Sequence, residues 1–266
     1  TNDQKSATIA EAFKEAVGSS ARIIEARGCH LTDDAQLAEV TGLVADPEGN
    51  AKLIREAVAK SAGADVIVAV LGEPRSWTGE ACSRSDIGLP QSQKDLLKAL
   101  LKTGKPLVLA LANGRPMTLE WEDAHCPAII EAWHGGAEAA RALTDVIFGD
   151  VNPSGKLTAT FPRTVGQIPI YYNHLNTGRP RVAEDHYTSK YLDIPNEPLY
   201  PFGYGLSYTE FKYSGMTLSK MSLKGDETLV ASVDVTNAGK RDGEETVQLY
   251  IGDPVASISR PLKELK

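Results

Sequence analysis

The stretch best suited to acid–base chemistry is "GEPRSWTGEACSRSD", residues 72–86. It contains two glutamates, two arginines and a tryptophan, namely Glu73, Glu80, Arg75, Arg84 and Trp77. Carboxyl groups donate and accept protons in many hydrolases, and guanidinium groups orient or pair with them. The stretch follows the apolar run "ADVIVAVL", where a chain leaving a buried strand normally makes a short turn. Two interpretations follow: a proton-transfer loop, or an ordinary solvated loop.

The elements around this loop alternate between helix and strand patterns. Apolar residues at helical spacing predict helices over 9–18, 48–64, 89–105, 118–126 and 137–150. Gly18 is the expected end of the first helix, and Asn50 the expected N-cap of the second. Apolar, β-branched runs predict strands over 21–28, 65–72, 106–114 and 127–136.

This alternation predicts an α/β sandwich, a mostly parallel sheet with helices on both faces. Sites in such sheets lie at the carboxyl ends of the strands. Three loops are expected there, residues 72–88, 113–117 and 134–138. The glutamates of the first loop are therefore placed where a site is expected.

After residue 153 the pattern changes. Residues 153–207 are rich in Pro, Gly and Tyr and have no long helical period, which predicts a segment that wraps over a neighbouring surface and is anchored by aromatic rings. From about residue 208, "ETLVASVDVTNAG" and "EETVQLYIGD" alternate with period two around a turn at 237–239. This alternation predicts antiparallel strands of a β-sandwich that is shorter than usual.

Composition excludes several classes of function. The 266 residues carry a net charge of −7 with a pI near 5.3, which argues against nucleic acid or an anionic membrane as a partner. No apolar run approaches the roughly 20 residues of a membrane span, and residues 1–16 carry no export signal. The three cysteines lack Cys-x-x-Cys spacing, and glycine-rich nucleotide fingerprints are absent. We expect no metal and no cofactor.

Several stretches together resemble the C-terminal half of glycoside hydrolase family 3, of the bacterial periplasmic β-glucosidase type. In chain order they are "LPQSQKDLLKAL", "KPLVLALANGRPM", "FGDVNPSGKLTATFPR", "QIPIYYNHLNTGRP", "LYPFGYGLSYTEF" and "SRPLKELK". The resemblance implies an N-terminal (β/α) barrel outside this sequence. It also implies an α/β sandwich at 1–161 lacking its opening strand, a wrapping linker at 162–205 and a partial fibronectin type III-like domain at 206–266.

The resemblance further implies that the nucleophilic aspartate lies in the barrel and the acid/base glutamate in a loop of the sandwich. "EACSRSDIGLP" fits the family setting Glu-Gly-x-Asp-Arg, which places Glu80 at the acid/base position and Arg84 at the arginine. Ala81 stands in place of the glycine and Ser83 in place of the aspartate. Glu73 remains a competitor for the acid/base role.

Trp77, Arg84 and Glu73 are the expected substrate-binding residues, with Trp77 stacking on a sugar ring. The implied activity is that of a retaining exo-β-glycosidase acting on β-linked glucosides or oligosaccharides. By the same resemblance, the enzyme is periplasmic or secreted. The alternative is a non-catalytic structural or carbohydrate-contacting module, inactive when isolated from the barrel.

Overall fold

The structure, a computed structural model, describes residues 6–43 and 45–266. Its helices are α1 (Ile9–Val17), α2 (Ala35–Val40), α3 (Pro47–Ser61), α4 (Gln91–Leu101), α5 (Glu120–His125) and α6 (Ala139–Phe148). Its strands are β1 (Ile67–Gly72), β2 (Leu107–Ala112), β3 (Ala128–Glu131), β4 (Phe211–Leu218), β5 (Ala231–Asn237), β6 (Tyr250–Ile251) and β7 (Glu264–Leu265). None of the helices in these residues is both long and apolar enough to cross a membrane.

Strands β1, β2 and β3 form a parallel sheet in that order. Ile67 pairs with Leu107, and Val108 with Ala128, so the three strands end at one edge. Helices α3 and α4 pack together, and their apolar side chains form the core with the sheet, while α1 and α6 pack against each other. The predicted α/β architecture is confirmed.

Local capping chemistry explains where the first helices begin and end. Thr8 and Glu11 form a reciprocal capping box at the start of α1, and Gly18, at φ 51°, ends it as predicted. Helix α3 begins earlier than predicted, because Asp46 accepts a hydrogen bond from the Gly49 amide (2.9 Å). The prediction of Asn50 as N-cap is therefore wrong.

The structure differs from the sequence prediction at two further places, within residues 21–28 and at α2. Residues 21–28 are assigned to no strand, although their apolar pattern predicts one. The short helix α2 has no counterpart in the sequence prediction, and Asp34 caps it by accepting a hydrogen bond from the Leu37 amide (2.9 Å). Six residues are too few to show a helical period.

The core lies between the sheet and helices α3 and α4. Its fully buried members include Leu97, Leu107, Leu109, Leu111 and Met117. Burying one such side chain stabilises the fold by roughly 1.5–3 kcal/mol. Phe161 joins this core at 1% exposure, although it comes from the far end of the α/β region.

Aromatic residues anchor the segment that follows Phe161. Phe161 forms an antiparallel bridge with Tyr200, and the Tyr200 hydroxyl donates a hydrogen bond to Asp123 (2.5 Å). Tyr172 stacks on Phe202 with ring centroids 4.5 Å apart. These contacts fit the predicted wrapping segment, whose residues carry little regular structure.

The C-terminal strands form two small antiparallel sheets, β4 with β5 and β6 with β7. The sequence prediction paired 227–239 with 244–253 instead, and this pairing is wrong. Strand β5 pairs with β4, from Phe211↔Asn237 to Leu218↔Ala231. Both candidate partners alternate with period two, so alternation alone did not select the right one.

Candidate functional site

The loop that carries Glu73 and Glu80 begins at Gly72, the last residue of β1. Gly72 has φ 134°, and a Cβ there would lie 2.1 Å from the Ala112 carbonyl oxygen, so only glycine fits. The buried Gln93 side chain bonds both the amide and the carbonyl of Gly72, at 2.8 and 2.9 Å. The loop therefore starts from a fixed point.

Glu73 lies at the base of this loop with its side chain fully buried. Its two carboxylate oxygens accept hydrogen bonds from different arginines, Oε1 from Arg84 Nη1 and Oε2 from Arg115 Nε (3.0 Å). A buried carboxylate needs such partners, because desolvation of an unpaired charge costs several kcal/mol (roughly 3–5 when one partner is removed). In this geometry the carboxylate has no oxygen facing solvent.

Arg115 connects Glu73 to both arms of the loop. Its Nη2 donates hydrogen bonds to the carbonyls of Trp77 and Cys82, the latter at 2.9 Å. Sequence reasoning assigned no role to Arg115, which lies in the "NGRP" stretch after β2. The sequence did contain one indication of a role for Arg115, because residues 113–117 were expected at the same edge of the sheet as the first loop.

Trp77 ends a short 3₁₀ turn, Arg75–Trp77, and is 2% exposed. The Arg84 guanidinium lies over its ring, 5.2 Å from the centroid. The ring thus packs inside its own loop in this structure. The expected contact of Trp77 with a sugar stays a prediction, and it would require the ring to be uncovered.

Glu80 lies at the exposed tip of the same loop. Among the described residues, no side chain pairs with its carboxylate, while its carbonyl accepts a hydrogen bond from the Cys82 thiol (3.3 Å). Ala81 follows with φ 61°, the left-handed region that favours glycine. The glycine of the family pattern therefore corresponds to a position where the backbone here requires left-handed geometry.

A partly buried carboxyl group, that of Glu131, lies at the end of β3. Glu131 accepts hydrogen bonds from the Trp133 amide (2.9 Å) and from Asn113 Nδ2 (3.2 Å). Burial raises the pKa of Glu131 to about 7, and these two hydrogen bonds oppose the shift. Asn113 Nδ2 also donates to the Arg115 carbonyl (2.9 Å), so polar contacts join the ends of β2 and β3.

A cleft of about 410 Å³ opens beside this edge, between the start of α1 and the residues that follow β3. Its lining includes Arg75, Trp133 and His134. His134 Nε2 lies 3.1 Å from Thr78 Oγ1, which brings the 134–138 loop against the first loop. All three loops expected at the carboxyl edge therefore lie there.

The cysteines and acidic residues form no metal site in the described part of the chain. Within residues 6–43 and 45–266, no group of three or more His, Cys, Asp and Glu could hold an ion. Cys29, Cys82 and Cys126 are free thiols, and burial raises the pKa of both Cys29 and Cys126 to about 11. Such thiols are poor nucleophiles at neutral pH.

Comparison with known proteins gives one consistent family. The model described as "Glycosyl hydrolase family 3 C-terminal domain" matches residues 2–208. A periplasmic beta-glucosidase from Salmonella typhimurium is 50% identical over 269 aligned positions, covering 98% of this chain and 35% of the relative. A beta-xylosidase from Formosa agariphila is 38% identical, covering 97% of this chain and 33% of the relative.

Solved structures agree with the sequence relatives. A β-glucosidase from Erythrobacter marinus matches with a TM-score of 0.85 at 37% identity, covering 98% of this chain and 36% of that one. A β-glucosidase from Listeria innocua, solved with gluconolactone, matches with a TM-score of 0.77 at 45% identity, covering 81% and 30%. The chain thus spans 30–36% of these proteins. It belongs to glycosyl hydrolase family 3, and residues 2–208 correspond to the family's C-terminal domain.

Proposed function

We propose that this chain is part of a retaining exo-β-glucosidase and that Glu80 is its general acid/base. The observation that carries the proposal is the position of Glu80, an exposed carboxylate at the tip of a loop whose base is fixed at the carboxyl edge of the sheet. The match to β-glucosidases over almost the whole chain supports the same reaction class.

The chemistry requires a carboxyl group that can leave its own domain. A glycosidic oxygen departs readily only when protonated as the bond breaks, and the same carboxyl group then activates water. Its nucleophilic partner lies about 5–5.5 Å away in retaining enzymes. Glu73 is held by two arginines and lacks a solvent-facing oxygen, whereas Glu80 is unpaired among the described residues. This contrast favours Glu80.

We propose further that a (β/α) barrel in the parent protein supplies the nucleophilic aspartate and most of the sugar-binding site. The chain spans about a third of relatives that are named as β-glucosidases, which leaves room for such a domain (35% of the Salmonella protein). In that arrangement 1–161 is the sandwich, 162–205 the linker and 206–266 part of a fibronectin type III-like domain. The isolated chain is then inactive.

The proposed substrates are β-linked glucosides or oligosaccharides. The Listeria β-glucosidase was solved with glucose and, as a mutant, with laminaribiose, a β-linked glucose disaccharide. The relative from Salmonella is named periplasmic, so we propose a periplasmic or secreted location.

Replacing Glu80 by alanine in the full-length parent protein tests the central proposal. Turnover of p-nitrophenyl β-glucoside should fall by about 10²- to 10⁴-fold, because both protonation and water activation lose their carboxyl group. Azide should restore part of the rate, since a small anion can attack the glycosyl intermediate without a base. Glu39→Ala, another exposed glutamate, is the matched control. Wild-type turnover in Glu80→Ala would assign the acid/base to another residue, with Glu73 next to test.

A separate assay tests the division of labour between domains. The purified 266-residue chain should not hydrolyse p-nitrophenyl β-glucoside above the rate in buffer. Hydrolysis that disappears in the Glu80→Ala form of this chain would show that the barrel is dispensable, contrary to the proposal.

A further inference from the structure

The two glutamates of the loop occupy opposite environments. Glu73 is buried and bonded to Arg84 and Arg115, while Glu80 is exposed and lies seven residues further along the chain. A loop of this length has many accessible conformations unless contacts fix it. In this loop, the contacts that fix the conformation converge on Glu73.

Arg115 makes the central contacts. Its guanidinium donates to the Glu73 carboxylate and to the carbonyls of Trp77 and Cys82. Trp77 precedes Glu80 by three residues and Cys82 follows it by two. One planar group from the end of β2 therefore holds the backbone on both sides of Glu80. A lysine cannot make this set of bonds, because it lacks the rigid fork of donors.

Arg84 completes the arrangement on the returning arm of the loop. It binds the other oxygen of Glu73, and its guanidinium covers the Trp77 ring at 5.2 Å. Trp77 is thereby buried, and the four side chains form one cluster under the loop. None of these contacts uses the Glu80 side chain, which stays outside the cluster.

We propose, building on the role proposed for Glu80, that Glu73 and Arg115 are positioning residues for the acid/base. They fix the backbone from which Glu80 reaches the glycosidic oxygen, and they touch no substrate themselves. A misplacement of about 1 Å in a reacting group can cost about 10²-fold in rate. The buried glutamate and the exposed glutamate thus serve one reaction, the first by holding the second in place.

The dependence of rate on the leaving group separates positioning from general structural damage. Cellobiose needs a proton on its departing oxygen, whereas dinitrophenolate leaves without one. In the full-length protein, Arg115→Lys and Glu73→Gln should each lower kcat/KM for cellobiose by about 100-fold. The loss for dinitrophenyl β-glucoside should stay below about 5-fold, because bond cleavage there needs no acid. Equal losses on both substrates, or no loss on either, would overturn the proposal.

Matched variants identify which claim fails. Arg55→Lys changes an exposed arginine of helix α3, and it should alter neither rate. Glu80→Ala should show the same leaving-group dependence and should gain rate with azide. If Glu80→Ala shows neither the leaving-group dependence nor the azide rescue, the role proposed for Glu80 is wrong. If Glu80→Ala behaves as expected but Arg115→Lys and Glu73→Gln behave like the wild type, only the positioning role is wrong. Azide rescue of Glu73→Gln would make Glu73 the acid/base and overturn both.

Hydrogen exchange gives a direct measure of the loop in the chain itself. Arg115→Lys should speed exchange of the Trp77, Thr78 and Cys82 amides by about 10-fold, because the loop opens more often. Amides of β2 should exchange as in the wild type. Equal acceleration in β2 would show that Arg115 stabilises the whole domain and would overturn the proposal, as would an unchanged loop.

Discussion

Strands in the two parts of the molecule have opposite environments. In β2, four of six residues are buried, and Leu109 is completely inaccessible. In β4 and β5 nearly every residue is exposed, including Leu218 at 42% and Val235 at 38%. The difference is the number of layers, because β2 lies in a sheet covered by helices, whereas the β4–β5 pair has an uncovered apolar face among the described residues.

This contrast separates what a sequence pattern specifies from what packing adds. A pattern of alternating or continuous apolar residues predicts a strand in either part. Only the surrounding layers decide how much apolar area leaves water, and burial contributes about 25 cal/mol per Å². We therefore expect equivalent substitutions in the two parts to have very different effects on stability.

The largest expected difference concerns two leucines. Leu109→Ala in β2 should lower the free energy of unfolding by about 3 kcal/mol, since it removes a fully buried side chain and leaves a cavity. Leu218→Ala in β4 should cost less than about 1 kcal/mol, because that side chain is already 42% exposed. Urea denaturation followed by circular dichroism and by tryptophan fluorescence measures both. Equal losses would mean that β4 is covered in solution.

The second prediction concerns pH and Glu131, a partly buried carboxyl group of the α/β part. Burial raises the pKa of Glu131 from 4.5 to about 7, so the folded chain binds a proton more tightly than the unfolded chain. The stability contributed by this proton is complete below pH 4.5 and is lost as the pH rises through 7. Between pH 4.5 and pH 7 the free energy of unfolding should fall by up to about 3 kcal/mol, at 1.36 kcal/mol per pH unit.

Glu131→Gln provides the measurement. The glutamine carries no charge at any pH, so the difference in unfolding free energy between variant and wild type should shift in favour of the variant from pH 4.5 to pH 8. A difference that stays constant across this range would show that Glu131 titrates normally in the folded chain.

The sequence predicted the α/β elements well because their signals are local and long. Helix α1 ends at Gly18 as expected, and β1 and β2 follow their apolar runs. The strand predicted over 21–28 is not formed. A strand also needs a hydrogen-bonded neighbouring strand, which the sequence of the segment itself does not specify. The prediction that 227–239 pairs with 244–253 was wrong for the same reason, since β5 pairs with β4 instead.

The site was partly predictable on the same grounds. The parallel-sheet rule placed the three loops at one edge, and the structure brings them together. Opposite burial of Glu73 and Glu80 was not predictable, since both are glutamates in one charged loop. The cause lies at a distance of 42 residues along the chain, where Arg115 meets Glu73. Such a contact depends on the register of β1 and β2.

The smallest expected difference in stability is between variants of two tyrosines whose hydroxyls donate hydrogen bonds to carboxylates. Tyr200 bonds Asp123 at 2.5 Å in the α/β part, and burial together with this carboxylate raises the pKa of Tyr200. Tyr213 bonds Glu245 at 2.8 Å in the strand part, where the tyrosine is 48% exposed. Tyr200→Phe should lower the free energy of unfolding by about 1.5 kcal/mol, because the hydroxyl of a partly buried ring loses its hydrogen bond to a carboxylate. Tyr213→Phe should cost less than about 0.5 kcal/mol, because water replaces the lost partner. Thermal denaturation of both variants measures these losses. A larger loss of stability in Tyr213→Phe would show that solvent exposure does not control what a tyrosine–carboxylate hydrogen bond contributes in this protein.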